Sequence, residues 1–401
     1  MYDAIIVGAR CAGSPTAMLL AQKGYRVLLV DRDTFPSDIM STHYIWQPGM
    51  SKLKDWGLMD KVVDSGSPPI SEITFDLGPL ALKGNAPPAE GVTEMCAPRR
   101  IALDKILVDA AVESGAELRE GFSVQELLVD DGRVTGIRGR SQGGTTVTEE
   151  ARIVIGADGP HSIVARNVDA PSYDERPSLT CCYYSYWSGV PVDGLEFYSR
   201  GSRVMFAFPT NGGLTSVVTF WPNKEFHEYR ADIEGNYLKT IDLVPALADR
   251  VRSGQREERF MGTAEITNFF RKPFGPGWAL VGDAGYQKDP ITAQGITDAF
   301  KHAELLAGAI DEGMSGRRLL DEAMAGYEQQ RNESVAPIYD FTCGFLGTLE
   351  QPPAEIQQLF GALSENQEDT NRFFGTLAGT VPIPEFFSPE NMQRIIGVGQ
   401  T

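Results

Sequence analysis

Hydrophobic and polar positions along the chain change rhythm three times. Tyr2 to Val7 is an apolar run of strand length, Gly13 to Gln22 has helical character and stops at Gly24, and Tyr25 to Val30 is a second short apolar run ending in Asp31. This predicts strand, turn, helix and parallel strand within about 30 residues. Arg100 to Ser114 reads as a helix with the pattern RxxLDxxL, Leu118 to Leu128 as extended chain, and "VDDGRVTGIRG" as a hairpin turning at Asp131 and Gly132. Arg152 to Ile155 is a further apolar strand leading into "GADGPHSIVAR". From Ser178 to Trp221 aromatic and β-branched residues alternate with polar ones, and "PTNGG" places a turn at Asn211 and Gly212. That block predicts an antiparallel sheet inserted into the first fold. After Pro276, "WALVGDAGYQKDPITAQGITDAF" returns to a buried strand and a helix-opening loop, and helical periodicity dominates from Arg318 onward. The expected fold class is α/β: a Rossmann-like domain in two pieces, 1–171 and 275–317, an inserted mainly antiparallel sheet at 172–274, and a helical region at 318–401.

The first turn, "GARCAGS", has glycine-motif spacing but carries Arg10 at the second glycine. Gly8 permits the tight turn out of the strand, Gly13 lets helix and strand pack closely, and free N–H groups at the helix start suit a diphosphate. Asp31, in the loop where the second strand ends, suits ribose hydroxyls. Without a glycine at position 10 the backbone approach narrows, but a guanidinium there is expected to fold over the diphosphate with a charge-assisted bond.

Composition narrows the partners. With 36 Lys and Arg against 54 Asp and Glu, the net charge of −18 opposes nucleic-acid binding. Met1 leads directly into an apolar strand without a basic leader, and no run approaches the length of a membrane span, so a cytoplasmic protein is expected, a monomer or homodimer. Five cysteines without CxxC spacing and four scattered histidines predict neither a disulfide framework nor a metal site.

Three motifs in order, "GARCAGS", "IGADGPHS" and "VGDAGYQKDP", resemble the FAD-dependent monooxygenase superfamily of the aromatic-hydroxylase fold, which includes geranylgeranyl reductases and flavin halogenases. The resemblance implies non-covalent FAD held by Gly8, Arg10, Ala12, Gly13, Asp31 and Arg32, with Arg100 at the flavin cofactor and Val124 at adenine. It also implies that Asp158 supports FAD and takes part in pyridine-nucleotide binding, that Gly282 and Asp283 lie at the ribityl chain and pyrophosphate, and that Pro290 to Ile296, including Gly295, lie beside the isoalloxazine. The usual histidine, glycine and asparagine of the last motif are replaced here by Tyr286, Ala293 and Thr297, and "PITAQGI" is similar to the reductase branch. The WxWxIP signature of the halogenase branch is absent.

In the resembling hydroxylases NAD(P)H reduces FAD, oxygen adds at flavin C4a, and the hydroperoxide delivers one oxygen to substrate. The resemblance thus implies a monooxygenase using O2 and NAD(P)H on an apolar, aromatic or polycyclic small molecule. The rival is an FAD-dependent reductase or dehydrogenase acting on a C=C bond. Tyr183, Tyr184, Tyr186, Trp187, Phe206, Phe208, Phe220 and Trp221 form an aromatic cluster in the inserted sheet, half of which must face away through simple alternation. Tyr184, Tyr186, Phe206, Phe208 and Trp221 are the expected substrate contacts. His43 and Pro290 are the catalytic candidates, His43 for proton handling. The C-terminal helices, divided by Pro352, Pro353, Pro382 and Pro384, are expected to cap the substrate cavity, the alternative being that they pack on the back of the FAD domain.

Overall fold

Tyr2–Val7 lies at the centre of a parallel sheet because every residue of the strand but Asp3 is buried and both of its edges are paired. The computed structural model describes residues 1–264, 266–350 and 352–398. In this first sheet Ile6 pairs with Leu29 of Val27–Val30 on one side and with Ile155 of Thr146–Gly156 on the other. Glu117–Arg119 and Trp278–Leu280 extend it outward, so the glycine turn, the "GADG" turn and the "VGDAG" turn all leave the same, carboxyl edge. That edge is where open α/β sheets bind ligands. Helices Gly13–Gln22, Arg100–Glu113 and Gly295–Met314 cover one face, and the hairpin Ser123–Asp130 with Arg133–Arg140 covers the other.

The second sheet contains Thr180–Ser188, Leu195–Arg200, Arg203–Pro209 and Thr215–Pro222 as an antiparallel series. Its edge comes from elsewhere. Ile73–Asp76 runs parallel to Leu195–Arg200, with Phe75 opposite Phe197, and Ala81–Gly84 pairs beyond it. These two strands precede the 172–274 block expected from sequence, and at four residues each they are too short to display a period.

Alternation divides the sheet into two apolar faces. Cys181, Tyr183, Trp187, Tyr198, Met205 and Trp221 pack beneath helices Phe226–Ala231, Ile233–Ile241 and Pro245–Ser253. Tyr184, Tyr186, Phe197, Phe206, Phe208 and Phe220 face the opposite side. There the C-terminal helices Ala354–Glu365 and Gln367–Ala378 cover them, with Phe360, Phe373 and Phe374 buried in the same cluster. The preceding helix, Leu320–Glu350, is 31 residues long and continuous through Pro337. Its first half rests on the cofactor sheet, where the Tyr327 hydroxyl donates to the Leu280 carbonyl at 2.9 Å, and Phe345 near its end reaches the aromatic face.

Candidate functional site

The glycine turn is fitted closely enough that side chains are excluded. Gly8 has φ +102°, and a Cβ there would stand 2.4 Å from the Ala157 carbonyl oxygen. A Cβ on Gly13 would stand 1.8 Å from the Gly8 carbonyl oxygen. Ala12 fills the corner against Gly282, whose own Cβ would be 2.7 Å from the Ala12 methyl. The turn therefore abuts both later motifs. Asp31 is buried and accepts from the backbone N–H of Ala9 at 2.7 Å and of Asp33 at 2.9 Å, and burial raises its pKa. Arg32 is exposed, and Val124 is half-buried at the start of its strand.

Arg10 has its donors engaged within the protein. It reaches Asp104 at 2.6 Å, Asp33 at 2.8 Å and the Ser37 hydroxyl at 3.0 Å. Asp104 is fully buried and also accepts from Arg100, whose Nε is 2.9 Å and Nη2 3.1 Å away. The carboxylate holds Arg100 firmly in its charged form despite burial. Sequence reading quoted Asp104 only as part of a helix pattern; the carboxylate following two arginines was its one local signal.

Asp158 accepts from the Ile163 N–H at 2.6 Å through one oxygen, while its other oxygen is buried and makes no hydrogen bond. Asp283 presents its carboxylate to an open cleft although protein surrounds it on most sides. That surrounding mass pushes its pKa up to about 6, with Arg100 and Lys288 opposing the rise. A cradle that any Cβ would fill, an unpartnered Asp158 oxygen and an acceptor facing the cleft together fit a dinucleotide flavin. FAD bound here would lie along Gly8–Gly13, Asp31 and Asp283.

The loop expected beside the flavin is pinned at both ends. Lys288 and Asp298 form a buried ion pair across it. Asp289, also buried, accepts from Thr180 and from the Ile291 N–H at 3.1 Å. Pro290 opens a single 3₁₀ turn, Ala293 adopts the left-handed conformation with φ +53°, and exposed Gly295 begins the helix whose second residue, Ile296, is buried. Ala293 thus holds a backbone shape that a glycine would adopt freely, at some steric cost.

Beside this loop lies a narrow apolar cavity of about 30 Å³. Ile291, Thr292 and Ala293 form one wall; Phe206 and Phe208 form part of another. Phe75, Phe197, Phe345 and Leu377 also line it, and none of these four is marked by the sequence pattern. Phe75 and Phe197 lie on short strands more than a hundred residues apart, and Phe345 and Leu377 come from two C-terminal helices. Tyr184 and Tyr186 share this face of the sheet without lining the cavity. Trp221 does not belong to the site. It stacks on Tyr229 with ring centroids 4.4 Å apart, and its indole donates to Thr240 at 2.8 Å, because its odd parity points it toward the helices.

His43 is fully buried, in a left-handed conformation with φ +60°. Its Nε2 shares a hydrogen bond with the Tyr186 hydroxyl, its Nδ1 makes none, and its ring meets Tyr184 edge-on at 5.9 Å. Burial pushes its pKa down to about 3, assisted by Arg100 and Arg99, so the imidazole is neutral. Arg99 lies 4.3 Å over the Tyr186 ring and is held by Asp38 and Glu258, each at 2.6 Å. Among the described residues no group of acids, histidines and cysteines converges as a metal site, and no helix is long and apolar enough to cross a membrane.

Known proteins share this fold. The digeranylgeranylglycerophospholipid reductase of Methanocella arvoryzae is 24% identical over 357 residues, covering 84% of this chain and 85% of that protein. A solved flavin-dependent brominase is similar across 100% of this chain and 99% of its own, with a TM-score of 0.79 at 18% identity. PqsL of Pseudomonas aeruginosa, described as a probable FAD-dependent monooxygenase, matches 91% of this chain and 100% of its own at 21% identity and a TM-score of 0.76. The model of the FAD binding domain matches residues 1–342, and the chain belongs to that family of FAD-dependent oxidoreductases.

Proposed function

We propose that the chain is an NAD(P)H-consuming, FAD-dependent monooxygenase acting on an uncharged, apolar molecule of aromatic or polycyclic type. One observation supports this above the others: the cavity beside the flavin-flanking loop is walled almost wholly by aromatic and aliphatic side chains and covered by the C-terminal helices. Bound FAD supplies the redox chemistry, passing electrons from NAD(P)H to dioxygen so that one oxygen atom enters substrate and the other leaves as water. The protein positions and shields. Asp283 would accept from ribityl hydroxyls, the pinned loop would flank the ring, and Phe206, Phe208 and Phe345 would exclude water that diverts reducing equivalents to peroxide. Neutral His43, hydrogen-bonded to Tyr186, is our candidate for proton transfer, with neither side chain in the cavity wall.

The second reading is an FAD-dependent reductase of a C=C bond. It is favoured by the "PITAQGI" loop and by the Methanocella reductase, which matches more than four fifths of this chain. Rapid mixing of the photoreduced holoenzyme with oxygenated buffer separates them. The oxygenase gives a transient near-ultraviolet band distinct from both oxidised and reduced flavin; slow, featureless reoxidation would replace the first reading with the second.

A further inference from the structure

Arg10 occupies the place of a glycine that lets backbone approach a diphosphate, and the obvious role for a cation there is direct contact with that diphosphate. The hydrogen bonds point elsewhere. One terminal nitrogen of the guanidinium donates to Asp104 on helix Arg100–Glu113, and the other to Asp33 and Ser37 beyond the second strand. The guanidinium also lies over the Phe35 ring, 5.3 Å from its centroid. Its side chain is only 14% exposed, so little of it is left to meet a ligand.

The segment that Arg10 grips is itself tied to the remaining parts of the cofactor's adenosine end. The Asp31 carboxylate accepts from the Asp33 N–H. The Asp33 carbonyl accepts from the Gly121 N–H at 3.0 Å, and the Phe35 N–H donates to Glu120 at 2.8 Å, immediately before the strand that begins Ser123–Val124. The glycine turn, the ribose-facing acid, the adenine-facing strand and the arginine-bearing helix are thus four separate stretches of chain, and Arg10 is bonded to two of them directly and coupled to a third through Asp33.

We infer that Arg10 is a positioning residue: a brace that holds the Asp31–Ser37 segment and, through Asp104, Arg100 in the arrangement that retains the adenosine half of FAD, with no bond to the diphosphate itself. The brace acts on the cofactor whichever reaction the flavin performs. A direct contact and a brace differ in sign at Asp33. This carboxylate is 42% exposed, so its removal spares the core. If Arg10 served the diphosphate, Asp33 would compete for it, and Asp33→Asn would free the cation and slow FAD loss. If Arg10 is a brace, Asp33→Asn cuts one arm and speeds FAD loss.

The test follows recovery of flavin fluorescence after dilution of the holoenzyme, beside its melting temperature. The brace requires Asp33→Asn to raise the FAD release rate by about threefold and Arg10→Met by about tenfold. Arg10→Lys, which keeps the charge but loses the fork, should behave as Arg10→Met does. The Arg10→Met/Asp33→Asn double variant should release FAD no faster than Arg10→Met alone, and Asp33→Asn should melt within a degree of the parent. Slower or unchanged FAD release in Asp33→Asn, or full retention in Arg10→Lys, overturns the brace in favour of direct contact.

Discussion

The ion pair between Lys288 and Asp298 offers the sharpest energetic test of the flavin-flanking loop. Its two side chains are 4% and 8% exposed, and they join the residue just before the loop to the first turn of the helix just after it. Removing one partner leaves the other charge in the interior without compensation, a cost of about 3–5 kcal/mol. For a chain of 401 residues the unfolding entropy is about 0.84 kcal/mol per degree, so each kcal/mol lowers the melting temperature by about 1.2 °C. Lys288→Met and Asp298→Asn are therefore each expected to melt about 4–6 °C lower. Lys288→Met/Asp298→Leu, which removes both charges, should recover to within about 1 kcal/mol of the parent. The assay is calorimetry of all four proteins at matched flavin content. Single variants melting within a degree of the parent, or a double variant as unstable as the two losses combined, would refute the reasoning and show the pair to be solvated.

Asp283→Ala removes the acceptor that faces the cleft at a cost of about 1–3 kcal/mol to FAD binding, and the protein should purify largely as colourless apoprotein. Asp283→Asn tests the raised pKa: the folded value of about 6 lies above the ordinary aspartate value, so the stability tied to the protonated acid is present at low pH and lost as pH rises through 6. In apoprotein melts the variant should match the parent in acid and become relatively more stable above pH 6. Phe208→Trp enlarges a cavity wall and should lower kcat/KM on bulky substrates about tenfold while leaving FAD occupancy intact, measured by flavin absorbance and NADPH consumption. Trp221→Phe should cost about 1 kcal/mol through the lost bond to Thr240 and leave turnover unchanged, which separates the two faces of the sheet.

The parts legible in the sequence are those whose causes are local. The first turn is readable because its glycines are required by atoms within one βαβ unit and the turn beside it, and the motifs at Asp158 and Asp283 follow because each ends a short apolar strand. Parity was not readable: the alternation of Phe220 and Trp221 is plain, but which one faces the cavity depends on the helices that arrive later. The role of Arg10 was hidden for a related reason, since its strongest partner lies 94 residues away. Phe75 was missed because a four-residue strand has no period to detect, and it gains meaning only when Phe197 comes to lie beside it.

The order in which the two sheets are completed has a consequence for the chain as it is synthesised. The cofactor sheet and its covering helices are entire once the first half of Leu320–Glu350 has emerged, whereas the aromatic face of the second sheet stays bare until Ala354–Glu365 and Gln367–Ala378 follow. A nascent or prematurely terminated chain therefore carries a complete flavin fold beside an uncovered wall of Phe75, Phe197, Phe206 and Phe208. Such a product is a sticky fragment destined for chaperones and proteases, and the last stretch of the message sets the yield of usable enzyme as much as it sets the shape of the chamber.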